Sequence, residues 1–209
     1  LISGIGYYPN LGVKDAFVLL RRGDIQTAVH LSDAIDQDRL HQHVNGYRVD
    51  VIDPLQSVRI VMEETEGVAV DLTWDGLFPV VQEQPHILRA GHRVTLNAQR
   101  FAQLGSWSGH LVIDGERITV DPASWIGSRD RSWGIRPVGE AEPAGRPSDP
   151  PFEGMWWLYV PIAFDDYAIV LIIQEEPNGF RSLNDCTRIW RGGRVEQLGW
   201  PRVKIHYRS

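Results

Sequence analysis

The feature that most constrains this chain is a two-residue alternation of apolar and polar side chains. Residues 58–63, 68–75 and 202–207 each place apolar side chains at every second position. Successive side chains of a strand point to opposite faces of a sheet, so this period predicts antiparallel strands with one wetter face. Tyr167–Ile173 is apolar throughout, which predicts a central strand covered on both sides.

Turn residues fall where such strands need to reverse. Asp114-Gly115, Asn178-Gly179 and Gly192-Gly193 each separate two apolar runs. Asn-Gly, Asp-Gly and Gly-Gly pairs favour tight hairpin turns, because two-residue hairpin loops require a positive φ. Helical periodicity is weak, and the best helix candidate is the short, polar segment Ser32–Gln42. The sequence therefore predicts an all-β protein with well under the usual share of helix.

Composition narrows the possible partners and compartment. The formal net charge is −6, with no dense run of Lys or Arg, which argues against a nucleic-acid surface. Cys186 is the single cysteine, so no internal disulfide can form and a cytoplasmic location is expected. The longest apolar run is too short to span a membrane as a helix.

The 209 residues fit one large β domain or two smaller ones. The segment Pro79–His92 is a candidate connection, and the predicted division is a first β unit over 1–96 and a second over 97–209. The segment Val138–Phe152 carries four prolines and is interpreted either as an ordinary exposed loop or as a lid over a cavity mouth.

The densest group of chemically active side chains is Gly127–Pro137. In a strand, Asp130, Ser132 and Gly134 share one face, and Arg129, Arg131, Trp133 and Ile135 share the other. One interpretation is a polar end to an apolar pocket, with Asp130 as an acid or hydrogen-bond acceptor. The other is a buried Arg–Asp ion pair that stabilises a barrel end, since structural ion pairs also perturb acids.

Seven of the eight tryptophans lie in the second half of the chain. Each brings a large apolar surface and one N–H that needs a partner. Such a set can line a cavity for a terpenoid, polyketide or fatty chain, and its faces can stabilise a developing cation. A large aromatic core explains the same composition, and sugar-stacking platforms on a carbohydrate-active β-sandwich are a further alternative.

Other polar clusters are weaker. The pair His41-x-His43 would place two imidazoles on one strand face, but no third ligand lies close in sequence, so no metal site is predicted. His110 is either a proton donor or acceptor or a hydrogen-bonded strand histidine. The adjacent acids Asp165-Asp166 are either a glycosidase-like pair or a turn. No phosphate-binding, dinucleotide-binding or nucleophile-elbow motif is present.

The run Arg129-Asp130-Arg131-Ser132-Trp133-Gly134-Ile135-Arg136 resembles the Arg-Asp-His-Ser-Trp-Gly signature of the lipocalin-like AttH proteins and carotenoid 1,2-hydratases (hydroxyneurosporene synthases). The lead-in is similar as well, with Arg100-Phe101-x-Gln103-x-Gly105 followed by Gly109-x-Leu111-x-Ile113-Asp114-Gly115. Arg131 stands where the signature has His, so no proton-transfer role is assigned to this side chain.

The resemblance implies two packed lipocalin-like barrels with apolar interiors, and Asp130 matches the acid of the signature by position. In the hydratases an acid protonates an isolated double bond and water captures the cation, whereas related proteins act as cyclases or have no assigned activity. Family members are longer, which predicts that the first and last barrel segments lie outside this chain. Unpaired strand edges then favour a homodimer or a partner chain.

The resulting hypothesis is an all-β, antiparallel, lipocalin-like (calycin) protein that binds an apolar isoprenoid- or polyketide-like molecule. It would hydrate, isomerise or cyclise that molecule without a cofactor, or carry it unchanged. The predicted catalytic residues are Asp130 and His110. The predicted ligand contacts are Trp107, Arg129, Trp133, Arg136, Trp156 and Trp157.

Overall fold

A computed structural model describes residues 1–38, 40–136, 145 and 153–206. Over these residues the chain forms strands and no helix, which confirms the all-β prediction; no helix of this part of the chain could span a membrane. The strands are β1 (Ile2–Tyr8), β2 (Val13–Arg22), β3 (Ile25–Ala34), β4 (His43–Val44), β5 (Tyr47–Asp53), β6 (Ser57–Thr65), β7 (Val68–Gly76), β8 (Val81–Gln82), β9 (His86–Ala90), β10 (Arg93–Ile113), β11 (Glu116–Val120), β12 (Ile126–Ile135), β13 (Trp156–Ala163), β14 (Tyr167–Glu175), β15 (Arg181–Trp190) and β16 (Val195–Gln197).

The strands form three sheets. The first has the order β1-β2-β3 and the last has the order β13-β14-β15-β16. The largest sheet follows β11-β10-β7-β6-β5-β4, and β8, β9 and β12 also pair with β10. Many strands consecutive in sequence pair antiparallel, as in β2 with β3 and β14 with β15. Short hairpins between neighbours explain why a chain with frequent turn residues adopts this order.

The chain packs into two compact units that are not continuous in sequence. The first contains 1–75 and 106–126, and the second contains 76–105 and 127–209. The chain passes from the second unit back to the first within the 21-residue strand β10. The assignment of one lipocalin-like unit to 1–96 and another to 97–209 stays a prediction.

The first unit buries the alternating face predicted from its sequence. Val68, Val70, Leu72 and Trp74 are each at most 2% exposed. The first three pack in one cluster with side chains of β2 and β3 such as Val18. The period-2 pattern therefore identified the core-facing side of β7 correctly.

In the second unit, buried side chains of the neighbouring strands β14 and β15 pack with side chains of β10. Ala168, Val170 and Ile189 pack with Ala102 and Leu104. The strand β14 lies between β13 and β15, as expected for a central strand. Its other face is partly exposed at Ile169 and Leu171, so it is not fully covered on both sides.

Two glycines allow close backbone approach. Gly109 has a φ of +123° and Gly134 has a φ of +130°, a region that L side chains rarely adopt. A Cβ at Gly109 would overlap the carbonyl oxygen of Asp71, and one at Gly134 would overlap that of Asn97. The glycine that ends the Ser-Trp-Gly signature is thus required where β12 pairs with β10.

The turn predictions are confirmed, whereas the strand prediction for 202–207 is wrong over its described residues. Asp114-Gly115 joins β10 to β11 with φ values of +51° and +80°, which fit a tight hairpin turn. The best helix candidate, Ser32–Gln42, is not helical in its described residues: residues 32–34 end β3 and the others are irregular. Residues 202–206 are irregular rather than a strand, because alternation alone does not provide a pairing partner. Apart from Gly145, the segment Val138–Phe152 lies outside the described residues.

Candidate functional site

Chemically active side chains of the second unit meet around a cavity of about 100 Å³. Two short strands and their flanking residues provide one wall, β10 and β12 provide another, and β13 and β15 contribute the rest. The lining consists of Glu83, Gln84, His86, Leu96, Ala98, Arg100, Asp130, Ser132, Arg136, Trp157 and Leu183. It combines acids, bases and one aromatic ring, and it is more polar than the predicted barrel interior.

A buried ion pair lies at the centre of this wall. Arg100 Nε donates to Glu83 Oε2 at 2.6 Å, and the Glu83 side chain is only 4% exposed. Glu83 and Arg100 lie directly beside the paired residues of β8 and β10, at the same end of that pairing. A backbone hydrogen bond from Glu83 N to Arg100 O holds the two residues side by side. The other carboxylate oxygen, Oε1, is buried without a hydrogen-bond partner among the described residues.

Aromatic rings cover the arginine. The Arg100 guanidinium carbon lies 5.5 Å from the Trp157 ring centroid and 4.9 Å from that of Tyr159. Both rings project from β13, and cation–π contacts of this kind favour a fixed position of the guanidinium. The Tyr159 hydroxyl is also buried without a partner in the described part of the chain. Burial, together with the charge of Glu83, raises the pKa of Tyr159, so its hydroxyl stays protonated.

His86 completes the group at the start of β9. Its ring centroid lies 6.3 Å from that of Trp157, and its Nε2 is buried without a partner among residues that the structure describes. Burial lowers the pKa of His86, and the positive charges of Arg100 and Arg136 lower it further. A neutral imidazole with an open nitrogen can act as a base.

The pKa of Glu83 is shifted in the opposite direction to that of His86. Burial raises the pKa of its carboxyl group, with Arg100 opposing that effect and the charges of Asp130 and Asp185 adding to it. Each group is therefore shifted toward its neutral form, the carboxyl as an acid and the imidazole as a base. Environments that displace the pKa values of two neighbouring groups in this manner are typical of acid–base catalysis.

A family of unknown function, DUF8625, matches residues 1–191. This chain belongs to that family. No curated protein matches the DUF8625 chain in sequence.

Two solved structures share its fold. A provisionally assigned AttH protein from Nitrosomonas europaea is similar with a TM-score of 0.60 and 14% identity, over 90% of this chain and 57% of that one. Kievitone hydratase from Nectria haematococca is similar with a TM-score of 0.54 and 17% identity, over 90% of this chain and 55% of that one. The DUF8625 chain thus spans little more than half of either protein. The similarity confirms the lipocalin-like fold predicted from the signature.

Three predicted site residues line this cavity. Asp130, Arg136 and Trp157 line it together with Ser132, whose hydroxyl accepts from Arg136 Nη1 at 2.7 Å. Asp130 is exposed, and no described side chain pairs with it by an ion pair or hydrogen bond. The expectation of a buried acid, or of a buried Arg–Asp pair, is therefore wrong at this position, because this face of β12 is open. The catalytic role of Asp130 stays a prediction.

The remaining predicted residues lie elsewhere. Arg129 is partly buried and donates to Gln103 Oε1 at 3.1 Å, and Trp133 is 47% exposed with its ring 6.4 Å from that of Phe101. Trp156 pairs with Glu175 across β13 and β14.

Trp107 and His110 belong to the first unit, where Trp107 packs against the core with its ring 6.5 Å from that of Trp74. His110 is half-buried opposite Thr119. The predicted catalytic pair of Asp130 and His110 is thus divided between the two units.

No metal centre emerges from the described ranges: no group of three or more His, Cys, Asp or Glu side chains there is arranged to hold an ion. The rings of His41 and His43 lie 5.5 Å apart, and His41 Nδ1 contacts Asp36 Oδ2 at 3.1 Å. Asp165 and Asp166 lie in the turn between β13 and β14, where the Asp165 carbonyl accepts from Arg191 Nε at 2.7 Å.

Sequence reasoning missed Glu83, His86 and Tyr159. The first two lie in Pro79–His92, whose sequence indicates a connection between units. Arg100 stands out in the sequence only as part of the signature lead-in. The pair of Glu83 and Arg100 is separated by 17 positions and leaves no local pattern in the sequence. The one available signal is an acid two positions after the apolar pair Val80-Val81.

Proposed function

We propose that this DUF8625 chain binds a small unsaturated molecule in the cavity of its second unit and adds water to a carbon–carbon double bond without a cofactor. The observation that carries the proposal is the meeting of Glu83 and His86 in one cavity, each with an unpartnered atom within the described structure. The fold similarity to a hydratase supports the same reaction class. We also propose that this chain shares a family, and not only a fold, with the AttH proteins and the hydratases.

The first step is proton transfer from the protonated form of Glu83, which its raised pKa favours, to one alkene carbon. The π electron pair forms the new C–H bond, and the other alkene carbon becomes cationic. Arg100, at 2.6 Å from Oε2, stabilises the carboxylate that forms, because a preorganised charge costs no reorganisation during the reaction. The face of Trp157 offers π density to the cationic carbon.

The second step is capture of the cation by water. An oxygen lone pair of water forms the C–O bond, and Nε2 of His86 accepts the released proton. The imidazolium then returns a proton through solvent to the Glu83 carboxylate, which restores both groups. The net change is addition of one water molecule, so no oxidant, reductant or metal enters the balance.

The molecule bound would be isoprenoid- or polyketide-like, with an apolar alkene end and a polar end. Trp157 and Leu183 provide apolar contacts, while Arg136 and Asp130 lie on the polar side of the same cavity. The cavity of about 100 Å³ is smaller than typical ligand sites of about 300–1,000 Å³. It would therefore hold the reacting end of the molecule and leave the remainder outside.

The test uses para-dimethylallylphenol as the unsaturated probe and its saturated isopentyl analogue as a binding probe. The wild-type protein should yield a product heavier by one water molecule. Glu83→Gln keeps an acceptor for Arg100 but has no proton to deliver, so turnover should fall by about 10²–10⁴-fold while the saturated probe still binds. The exposed Glu64→Gln on β6 is the matched control and should retain turnover.

Three outcomes decide between the alternatives. Binding of the saturated probe with no product from the unsaturated one would identify a carrier of lipophilic molecules and contradict catalysis. Loss of turnover in Asp130→Asn with full activity in Glu83→Gln would transfer the acid to Asp130. Loss in Glu83→Gln alone, with probe binding intact, supports the mechanism above.

A further inference from the structure

A second concavity of the same unit adjoins the first. It is an open groove of about 420 Å³, and it shares Glu83 and Gln84 with the smaller cavity. Its lining is made of amides, carboxylates and one indole: Gln82, Glu83, Gln84, Asn184, Asp185, Gln197, Gly199 and Trp200. Its volume lies within the range of small-molecule sites, which is about 300–1,000 Å³.

Trp200 is the most exposed tryptophan, with 83% of its surface accessible. The backbone on both sides of it is held in place. Leu198 N donates to Cys186 O at 2.8 Å, and Arg181 Nη1 donates to Pro201 O at 2.9 Å. The ring gains nothing from burial in the folded chain, and tryptophan is enriched at binding surfaces because it combines a large apolar face with one N–H donor.

The polar side chains around Trp200 have fixed orientations and offer both hydrogen-bond donors and acceptors. Asn184 Oδ1 accepts from Arg181 Nη1 at 3.1 Å, which directs its amide nitrogen to other acceptors. In the amide orientation that satisfies both of its ends, Gln197 donates to Asp185 Oδ1 at 2.9 Å and to Cys186 O at 3.3 Å, and it accepts from Thr187 Oγ1 at 3.1 Å. Its oxygen keeps one lone pair for a ligand hydroxyl. Amides and carboxylates with fixed partners match hydroxyl groups, which both donate and accept.

Charge argues for a neutral occupant. Asp185 would repel an anion, and no Lys or Arg lines the groove among the described residues. The Asp185 carboxylate already has a partner, since it accepts from Gln197. A cation would therefore gain less here than at an unpaired carboxylate.

We infer that the groove binds a hydroxyl-rich ring, such as a sugar, carried by the same molecule whose double bond lies in the smaller cavity. One face of the ring would stack on Trp200 while its hydroxyl groups bond to Asn184 and Gln197. This inference rests on the proposed function for the identity of the other end. It makes the substrate class a glycosylated or similarly polyhydroxylated unsaturated compound.

The test compares phenol with phenyl β-glucoside, phenyl β-galactoside and phenyl α-mannoside, with dissociation constants measured by ligand-observed NMR. At least one hexoside should bind about tenfold more tightly than phenol, as expected for one stacking contact plus hydrogen bonds. Trp200→Ala should return its affinity to that of phenol. The matched control is Phe180→Ala, since Phe180 is 61% exposed in the β14–β15 turn and lines neither cavity; it should keep the preference.

Equal binding of phenol and all three hexosides overturns the inference, as does a hexoside preference that survives in Trp200→Ala. Tighter binding of phenyltrimethylammonium than of any hexoside also overturns it, because the groove would then recognise a cation. These results are separable from the proposed function. Water addition to dimethylallylphenol without hexoside preference removes only the sugar subsite, and hexoside preference without water addition removes only the hydratase.

Discussion

Replacement of Gly134 by alanine tests whether the signature glycine is a structural requirement for the pairing of β12 with β10. The residue has a φ of +130°, and an alanine there incurs backbone strain of about 1–3 kcal/mol. Its Cβ would also overlap the Asn97 carbonyl oxygen, which belongs to a backbone and cannot rotate away. β12 must then separate from β10, and each lost ladder hydrogen bond costs about 1 kcal/mol.

With about two ladder hydrogen bonds lost, the free energy of unfolding should therefore fall by about 3–5 kcal/mol in Gly134→Ala. At roughly 2–4 °C per kcal/mol for a chain of this size, the melting temperature should fall by about 6–20 °C. Circular dichroism during a thermal melt, with a urea titration for the free energy, measures both. Because β12 carries Asp130 and Ser132, the displaced strand should also weaken binding in the smaller cavity.

Gly154→Ala is the matched control, since Gly154 has a φ of +103° and an added Cβ would meet nothing within 4 Å. It should lose only the strain component, about 1–3 kcal/mol. Equal melting temperatures for the Gly134 and Gly154 variants would refute the close-approach argument. A Gly134 variant as stable as the wild type would refute the backbone strain as well.

Three further predictions concern titration, reactivity and the core. The pKa of His86 lies below its ordinary value of 6.5 in the folded state. Its contribution to stability is therefore present above that pH and is lost as the pH falls through the folded pKa. His86→Gln should lack this loss, and parallel curves of stability against pH for the two proteins would contradict the prediction. Burial raises the pKa of the Cys186 thiol, which is 7% exposed, so a thiol reagent should label it slowly in the native state and quickly in denaturant; rapid native labelling would be the opposite result. Leu72→Ala should lower the free energy of unfolding by about 2–5 kcal/mol, because Leu72 is 1% exposed in the core of the first unit. Val51→Ala, at a 49% exposed site, should lower it by under about 0.5 kcal/mol. Chemical denaturation measures both changes.

Strands and turns could be predicted from the sequence because they depend on local rules. The alternation in 68–74 follows from which face of β7 is buried, and Asp114-Gly115 follows from the backbone angles of a tight hairpin. The alternation in 202–207 failed, because period alone does not show whether a partner strand is present. Pairing depends on residues distant in the chain, which no local pattern contains.

The candidate site was predictable only in part. The signature placed Asp130 and Arg136 near the cavity, but alternation assigns residues to faces and does not say which face is covered. Asp130 was therefore expected to be buried and is exposed. Glu83 gains its unusual environment from Arg100 and Tyr159, which lie on β10 and β13.

The tryptophans illustrate the same limit. Trp74 is fully buried in the first unit, whereas Trp200 is 83% exposed beside the groove. Composition showed that aromatic residues are abundant but could not distinguish a core ring from a binding surface. The burial of each ring in the folded chain separates the two cases.

The proposed function requires Glu83 and His86 to act together in adding water to a double bond. Mass spectrometry of para-dimethylallylphenol, after incubation with the protein in water labelled with heavy oxygen, tests this requirement. The wild type should form a product that contains one labelled oxygen, and its formation should be about 10²–10⁴-fold slower in both Glu83→Gln and His86→Gln. An unlabelled product, or full turnover in both variants, would contradict it.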